Sequence, residues 1–346
     1  MENPIMMKAF GYYEPGLETD IPPFQEVEVE KPKPAGQDLL VEVKAVSVNP
    51  TDWRSHISKH PDDLSLTVPG RDVAGVVVDI GSECNLFNVG DEVYYAGSNI
   101  RPGGHSEFHL VDERIVGRKP KNLDFAQAAA LPLTSLTAGE AFFERLGISR
   151  NESDNEGSSM LIIGAAGGVG SIATQLAKLV GLKVIATASR PESVSWAKSN
   201  GADHVINHHQ PFGPQLKDLG LAGVQYIFVL NHIDEHMEEM AEVILPQGKI
   251  CSILPFEKPA ELQKLFSKSI TLVWEMMFTR PMFQTDDMIK QHLLLNEIAD
   301  LVEAGKIHTT MAERMEPINA ANLLEAYRKS KSGTAIGKIV LEGFEK

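Results

Sequence analysis

The chain has 346 residues, with 32 Lys and Arg against 47 Asp and Glu, a net charge of −15. That length suits about two domains of ordinary size, and the acidity argues against a dedicated nucleic-acid binder. A content of 43% hydrophobic and 23% charged residues fits a folded, water-soluble protein, and two distant cysteines, Cys84 and Cys251, supply neither a disulfide framework nor a four-thiolate zinc knot.

At the start, Glu2 stands where a secretory leader would carry positive charge, and no continuous apolar stretch follows before Gly11, so a cytoplasmic protein is expected. From Met7 to about Pro120 the pattern is short and β-like. Within residues 39–48, Val41, Val43 and Ala45 alternate with Glu42 and Lys44, and further runs at 73–80, 92–95 and 107–111 are parted by turn signals such as Pro102-Gly103-Gly104. A small barrel or sandwich follows from this rhythm.

From about Gln127 the rhythm changes. Short apolar strands are expected at 160–163, 183–188, 204–206, 226–230, 249–253 and 270–273. Between them lie helices marked by Ala173, Leu176, Ala177 and Val180, and by Met237, Met240, Ala241 and Ile244. Alternation of this kind predicts an open parallel sheet covered on both faces. The most membrane-like stretch, 160–182, is interrupted by Gln175, Lys178 and several glycines, so it reads as strand, turn and helix, with no membrane partner. Residues 151–159 form a polar surface connection. After about Pro281 a long helix over 286–304 leads to a last strand at 337–341.

The sharpest local signal is Gly164-Ala165-Ala166-Gly167-Gly168-Val169-Gly170, directly after one of these strands and directly before a helix. Glycines there let backbone N–H groups approach a pyrophosphate, and the helix N-terminus adds partial positive charge. The alternative is a glycine turn that serves close packing alone. An Asp or Glu about twenty residues on would select NAD through the ribose hydroxyls, but Thr187-Ala188-Ser189-Arg190 offers none, so NADPH is the expected cofactor. Ser189 and Arg190, just before Pro191, are placed to meet a 2′-phosphate. The competing reading is a capping box of Ser189 with Glu192 beside a solvated arginine.

Several segments then occur in one order: Val46-Ser47-Val48-Asn49-Pro50-Thr51-Asp52, Val68-Pro69-Gly70-Arg71-Asp72, Val89-Gly90-Asp91-Glu92-Val93, Ala130-Leu131-Pro132-Leu133-Thr134 and the glycine turn. In this the chain resembles the medium-chain dehydrogenases/reductases, on the zinc-free quinone-oxidoreductase side and specifically the zinc-type alcohol dehydrogenase-like group. The resemblance implies an α/β protein: a GroES-like β-barrel domain from 1–124 and 281–346, and a Rossmann doubly wound parallel sheet over 125–280. It also implies an active site in the cleft between them, and a homodimer joined through the last strand near 270–273. Trp274 to Phe278 line a pocket, that dimer contact or the core. Further cofactor contacts implied by the resemblance are Asn231, His232, Ile253, Leu254 and Lys338, while Ser193 stands where relatives often carry a phosphate-binding lysine.

Alcohol dehydrogenases of this superfamily hold zinc with cysteine and histidine, and the matching positions here are Asn49, Arg71 and Leu133, so no metal is expected. The structural-zinc loop is missing between Gly97 and Ser106. His105 and His109 on one strand would stand roughly 13 Å apart, too far for one ion. His56 with His60, and His232 with His236, could be helical neighbours but lack a third ligand. Hydride transfer without a metal favours acceptors that delocalise their own charge, namely quinones or α,β-unsaturated carbonyls. Asn49, Arg54 and Arg71 could donate to the acceptor oxygen, Thr137 is implied near the nicotinamide, and Trp53 and Tyr95 could form a flat apolar wall. Against this, Arg71 could pair with Asp52 or Asp72, Asn49 could brace the loop at Pro50, and Trp53 could be core. Two further readings stay open: an NADPH-binding redox-responsive or sequestering protein with little turnover, and a zinc-dependent alcohol dehydrogenase.

Overall fold

The structure, a computed structural model, describes residues 4–17, 20–21 and 23–345; the acidic start at Glu2 lies outside them. The chain divides into two compact units, Met1–Leu133 with Phe278–Lys346, and Thr134–Met277.

The first unit opens with an antiparallel pair, β1 (Met6–Gly11) and β2 (Gln25–Glu30), and continues with β3 (Asp38–Ser47), β4 (Val73–Ile80), β5 (Glu92–Tyr95), β6 (Phe108–Asp112) and β7 (Val116–Arg118). The second unit holds β8 (Ser159–Ile163), β9 (Lys183–Thr187), β10 (His204–Ile206), β11 (Val224–Val229), β12 (Ile244–Ser252) and β13 (Thr271–Trp274). The returning segment adds β14 (Met311–Met315) and β15 (Lys338–Glu342) to the first unit.

In the first unit the sheet order is β14-β15-β3-β4-β5-β7, with β6 also paired to β3. The alternation in β3 does what a half-buried strand requires: Val41, Val43 and Ala45 join the core with Val73, Val77 and Val93, while Glu42 and Lys44 point outward and pair at 2.5 Å. Tyr327, on helix Ala320–Lys331, is wholly buried against this core.

In the second unit six strands run parallel in the order β10-β9-β8-β11-β12-β13. Every residue of β8 is buried, as expected of a central strand covered on both faces. Helices Gly168–Leu179 and Ile233–Val243 bury the stripes read from their spacing. Ile244 departs from that reading: it opens β12 rather than closing the helix. The β11–β12 register jumps from Val224/Ile244 to Tyr226/Lys249, so residues 246–248 loop out and the strand resumes beyond them. The long helix of the first unit is Ile289–Glu303, later than expected because Asp287 is held by Thr285 and Arg280 in the preceding turn. No helix among the described residues is long and apolar enough to cross a membrane.

Candidate functional site

In the second unit the glycine segment closes the carboxyl end of β8. Gly164 takes φ +88°, a conformation side chains resist, and its N–H donates to Thr187 Oγ1 at 3.0 Å, tying the turn to β9. Helix Gly168–Leu179 starts next, with Gly167 as its flank, no side chain capping it and no acid in its first turn. Its first amides therefore suit an anionic group, which the helix dipole also favours. A Cβ on Gly170 would lie 2.5 Å from Ala165 Cα and from the carbonyl oxygens of Gly164 and Ala165. On Gly167 it would meet only Gly164 O, at 3.6 Å. Gly170 thus serves packing, and Gly167 leaves room for approach to the backbone.

The order of strand addition reverses at β8, which pairs β9 on one side and β11 on the other. Residues following the carboxyl ends of β8, β9, β11 and β12 therefore gather at one end: Ala165 to Gly170, Ser189 and Arg190, Asn231 and His232, and Ile253 and Leu254. Such a switch point is where open parallel sheets receive ligands. Asn231 packs on the turn itself, its side chain 3.1 Å from where a Cβ on Gly164 would stand. The expected capping box on Ser189 and Glu192 is displaced by one residue: Arg190 N–H donates to Ser193 Oγ at 3.2 Å, and Ser193 Oγ donates to Arg190 O at 2.9 Å. Glu192 instead pairs with the Arg190 guanidinium at 3.2 Å, where the arginine side chain is 40% exposed.

In the first unit a buried network forms around Asp72, whose backbone sits at φ +105°. Asp72 Oδ1 accepts Leu133 N–H at 2.7 Å; Oδ2 accepts Asn49 Nδ2 at 2.7 Å and Lys338 Nζ at 3.0 Å. Lys338 also donates to Val48 O at 2.9 Å and to Asn49 Oδ1, and Asn49 Nδ2 donates again to Arg71 O at 2.5 Å. All three ammonium protons and both amide protons are spent. Burial holds the Asp72 carboxyl above its usual range while Lys338 pulls it down.

Arg71 is placed differently. Its Nη2 donates to Arg101 O at 3.3 Å, while its Nη1 is buried without a partner. Asp52 Oδ1, the Tyr12 and Tyr327 hydroxyls and both His105 ring nitrogens are likewise buried and unpartnered. Asp52 and the two tyrosines lie close enough to act electrostatically on the guanidinium, and the guanidinium on His105. Asp52 is anchored by its other oxygen, which accepts Asn49 N–H at 2.8 Å. Desolvation pushes its carboxyl up to about 7, against the opposing pull of the Asn49 N–H and Arg71. Burial also lowers His105 to about 3, so the ring is neutral. Its edge fills the space over Gly70, where a Cβ would fall 2.3 Å from the ring and where φ is +111°. Trp53 is half-buried, with the Arg54 guanidinium 5.2 Å and the Lys331 ammonium 6.0 Å from its ring.

Residues 35–121 match the alcohol dehydrogenase GroES-like domain and residues 168–291 the zinc-binding dehydrogenase family. A zinc-type alcohol dehydrogenase-like protein of Staphylococcus epidermidis is 42% identical over 97% of this chain and 99% of its own. The chain belongs to the medium-chain dehydrogenase/reductase superfamily. A crystal structure from Rhizobium etli, provisionally described as a zinc-dependent alcohol dehydrogenase, has the same medium-chain fold at TM-score 0.93, with 50% identity and 99% of both chains covered. A chloroplast envelope quinone oxidoreductase homolog of Arabidopsis thaliana is 31% identical over 92% of this chain and 93% of its own.

Zinc appears in several of these names, yet the residues of this medium-chain dehydrogenase/reductase do not fit the ion. The expected ligand positions carry an amide saturated by an ammonium and a carboxylate, a guanidinium, and a leucine, so a dication would meet fixed cations instead of thiolates and imidazoles. Among the described residues no group of three or more His, Cys, Asp or Glu could hold a metal. His60 falls beyond the helix that carries His56, and His232 precedes the helix that carries His236.

Four expectations change with this geometry. Asn49 has no N–H left for an acceptor oxygen, because the buried network consumes both. Lys338 belongs to the same network, which leaves it nothing to offer a coenzyme. Tyr95 is wholly buried and bonds His109 Nδ1 at 3.0 Å, so it walls no pocket. Arg71 pairs with neither Asp72, which Lys338 takes, nor Asp52. Thr137 is buried on helix Pro132–Glu140 of the second unit, and Arg54 is exposed over Trp53. Tyr12 and Tyr327 were not singled out, and His105 was weighed only as a metal ligand, since no periodicity or spacing links residues so far apart in sequence.

Proposed function

We propose that the chain is an NADPH-dependent reductase of quinones or activated enones that works without a metal, in the cytoplasm and as a homodimer. The observation that carries this reading is the Arg71 guanidinium, whose Nη1 is buried without a partner among the described residues, at a position where zinc-dependent relatives would hold a metal ligand. Conjugated acceptors spread their developing charge, so a preorganised donor suffices where a simple ketone would call for a Lewis acid. Bound NADPH would supply the hydride; the acceptor gains that electron pair and one proton from water, and the coenzyme is left oxidised.

The backbone amides at 168–170 would hold the pyrophosphate, and Ser189 with Arg190 the 2′-phosphate. Asn231 and His232, with Ile253 and Leu254, would flank the coenzyme, and Thr137 would contact the nicotinamide. The open edge of β13 supports the dimer: among the described residues it pairs only with β12, and Phe266, Trp274 and Met276 stand 85%, 48% and 47% exposed around it.

The test follows oxidation of NADPH and NADH with a panel of quinones, alkenals and alcohols. NADPH should be preferred with quinones or alkenals, and Arg190→Ala should reduce that preference by about tenfold or more, the scale of one charge-assisted hydrogen bond. Equal use of both coenzymes would refute the NADPH assignment. Activity confined to alcohols and restored by added zinc would refute the metal-free mechanism.

A further inference from the structure

We propose that His208, His209 and His232, backed by the buried His236, form an imidazole cluster that meets the 2′-phosphate end of the coenzyme and takes up a proton from solvent when it binds, so that selection of NADPH over NADH strengthens as the pH falls. The inference rests on the coenzyme reading given above and deepens it.

The four histidines reach one place from two strands of the second unit. β10 ends at Ile206, and the chain passes through Asn207 into His208 and His209; β11 ends at Val229 and leads to His232, with His236 one turn along the following helix. The His208 and His209 ring centroids lie 4.2 Å apart, and His208 lies 6.5 Å from His236. His232 is close enough to act electrostatically on both His208 and His236. His208 is half-buried and His209 and His232 are exposed, so a ligand in solution can reach them.

This place adjoins the residues assigned to the 2′-phosphate. Ala188 N–H donates to Ile206 O at 3.0 Å, so the chain leaves β9 and β10 side by side, and two residues beyond that bond stand Arg190 and His208. A phosphate monoester carries roughly 1.5 to 2 negative charges near neutral pH. Arg190 brings one positive charge, shared with Glu192 at 3.2 Å, and the Ser193 hydroxyl is given to Arg190 O. The phosphate calls for a further cation, and imidazole is the side chain that gains charge in this pH range.

Among the described residues no hydrogen bond ties the rings of His208, His209 or His236, whose contacts are with each other and with Phe212, 5.5 Å from His236. The acids of the adjoining helix are engaged elsewhere or face His232: Glu235 lies 3.5 Å from His232 Nδ1, Asp234 accepts the Glu257 and Lys258 N–H groups, Glu239 accepts Phe212 N–H at 2.7 Å, and Glu242 lies against Gly213. Desolvation first, and then the three neighbouring imidazoles, hold His208 below its ordinary value; burial does the same to His236, with Glu235 opposing. A phosphate set beside these rings offsets both effects, because it favours their charged form. Binding therefore raises their proton affinity, and by reciprocity affinity for the phosphorylated coenzyme rises as the pH falls, by up to about tenfold per pH unit for each proton taken up. NADH lacks the 2′-phosphate and gains nothing.

Calorimetric titration of the intact chain with NADP⁺ and NAD⁺ at about pH 6.5, in phosphate-free buffers of differing ionisation enthalpy, counts the protons without turnover. The phosphate's own proton would be released beside cations, so an uptake reports the protein. NADP⁺ should take up about half a proton or more and NAD⁺ almost none; from about pH 7.5 to 6.5 affinity for NADP⁺ should rise about threefold or more, and for NAD⁺ less than about twofold. The His208→Gln, His209→Gln double variant keeps polar side chains without titrating rings, and should lose about half or more of both effects. Should it fail to fold, His209→Gln and His232→Gln change exposed positions, and each should reduce the uptake by about a quarter or more. Binding of NADP⁺ without proton uptake, equal uptake with NADP⁺ and NAD⁺, or an uptake unchanged in every variant overturns the cluster and leaves the coenzyme reading standing. Binding of neither coenzyme overturns that reading, and the cluster with it.

Discussion

At Asp72, a residue with φ +105° accepts three hydrogen bonds from Leu133, Asn49 and Lys338, and backbone strain of this kind persists only where surrounding bonds over-determine it. Lys338 closes the set across 266 residues of chain. Removing its ammonium would leave Asp72 buried and under-compensated and Asn49 Oδ1 without its donor. Lys338→Met is therefore expected to lower stability in urea by about 3–5 kcal/mol, the cost of breaking a buried ion pair from one side. Coenzyme affinity of the folded fraction should stay unchanged, in contrast to Arg190→Ala. A loss of affinity without a loss of stability would return Lys338 to the coenzyme. The family resemblance implied that assignment, and a partner more than two hundred residues distant is not legible in a chain. Arg71 and Asp52 were legible as members of ordered motifs, whereas the unpaired state of Arg71 depends on where Lys338 and Arg101 end up.

Two glycines in the turn after β8 have different duties. Gly170→Ala drives a Cβ to within 2.5 Å of backbone atoms in the preceding turn, and backbone cannot move aside as a flexible side chain can. It is expected to cost roughly 1–3 kcal/mol, the range for overpacking, and to lower the thermal midpoint. Gly167→Ala meets one atom at 3.6 Å, so its stability should stay near wild type while NADPH affinity falls, because the added methyl crowds the approach to the helix amides. The opposite ordering would show that the turn serves packing alone. This element could be read from sequence because its framing is local: an all-apolar strand, a glycine turn and an amphipathic helix. The pair β1 and β2 could not be read so easily. β2 is Gln-Glu-Val-Glu-Val-Glu with no residue fully buried, so its alternation lacks the apolar face that marks a strand. β12 was expected only from residue 249, whereas it begins at Ile244 and residues 246–248 loop out within the continuing strand.

Over the whole molecule, buried titratable groups set a pH dependence whose sign can be worked out. His56, His105 and His109 are lowered by burial to about 4, 3 and 4, and burial lowers His208 and His236 too, so from about one pH unit above the ordinary value near 6.5 these rings are almost wholly neutral in both folded and unfolded chains and contribute little slope. Asp52, raised to about 7 by desolvation, is still losing its proton in the folded state there. Glu275 behaves alike: it is raised by burial and by the neighbouring Glu140, and Arg145, 2.9 Å away, only partly offsets this. In the unfolded chain both carboxyls have already ionised. The folded state thus binds more protons than the unfolded state, and stability must fall as pH rises from about 7.5 to 8.5, by up to about 1.4 kcal/mol per pH unit for each group. Below about 7.5 the histidines, still partly protonated in the unfolded chain, act in the opposite direction and flatten the curve. Urea denaturation at pH values of about 7.5, 8 and 8.5 should show a steady loss of stability, and Glu275→Gln, which keeps an oxygen for Arg145 without a titrating proton, should make it shallower. A wild-type curve that is flat or rises over this window would mean that Asp52 and Glu275 are ionised throughout.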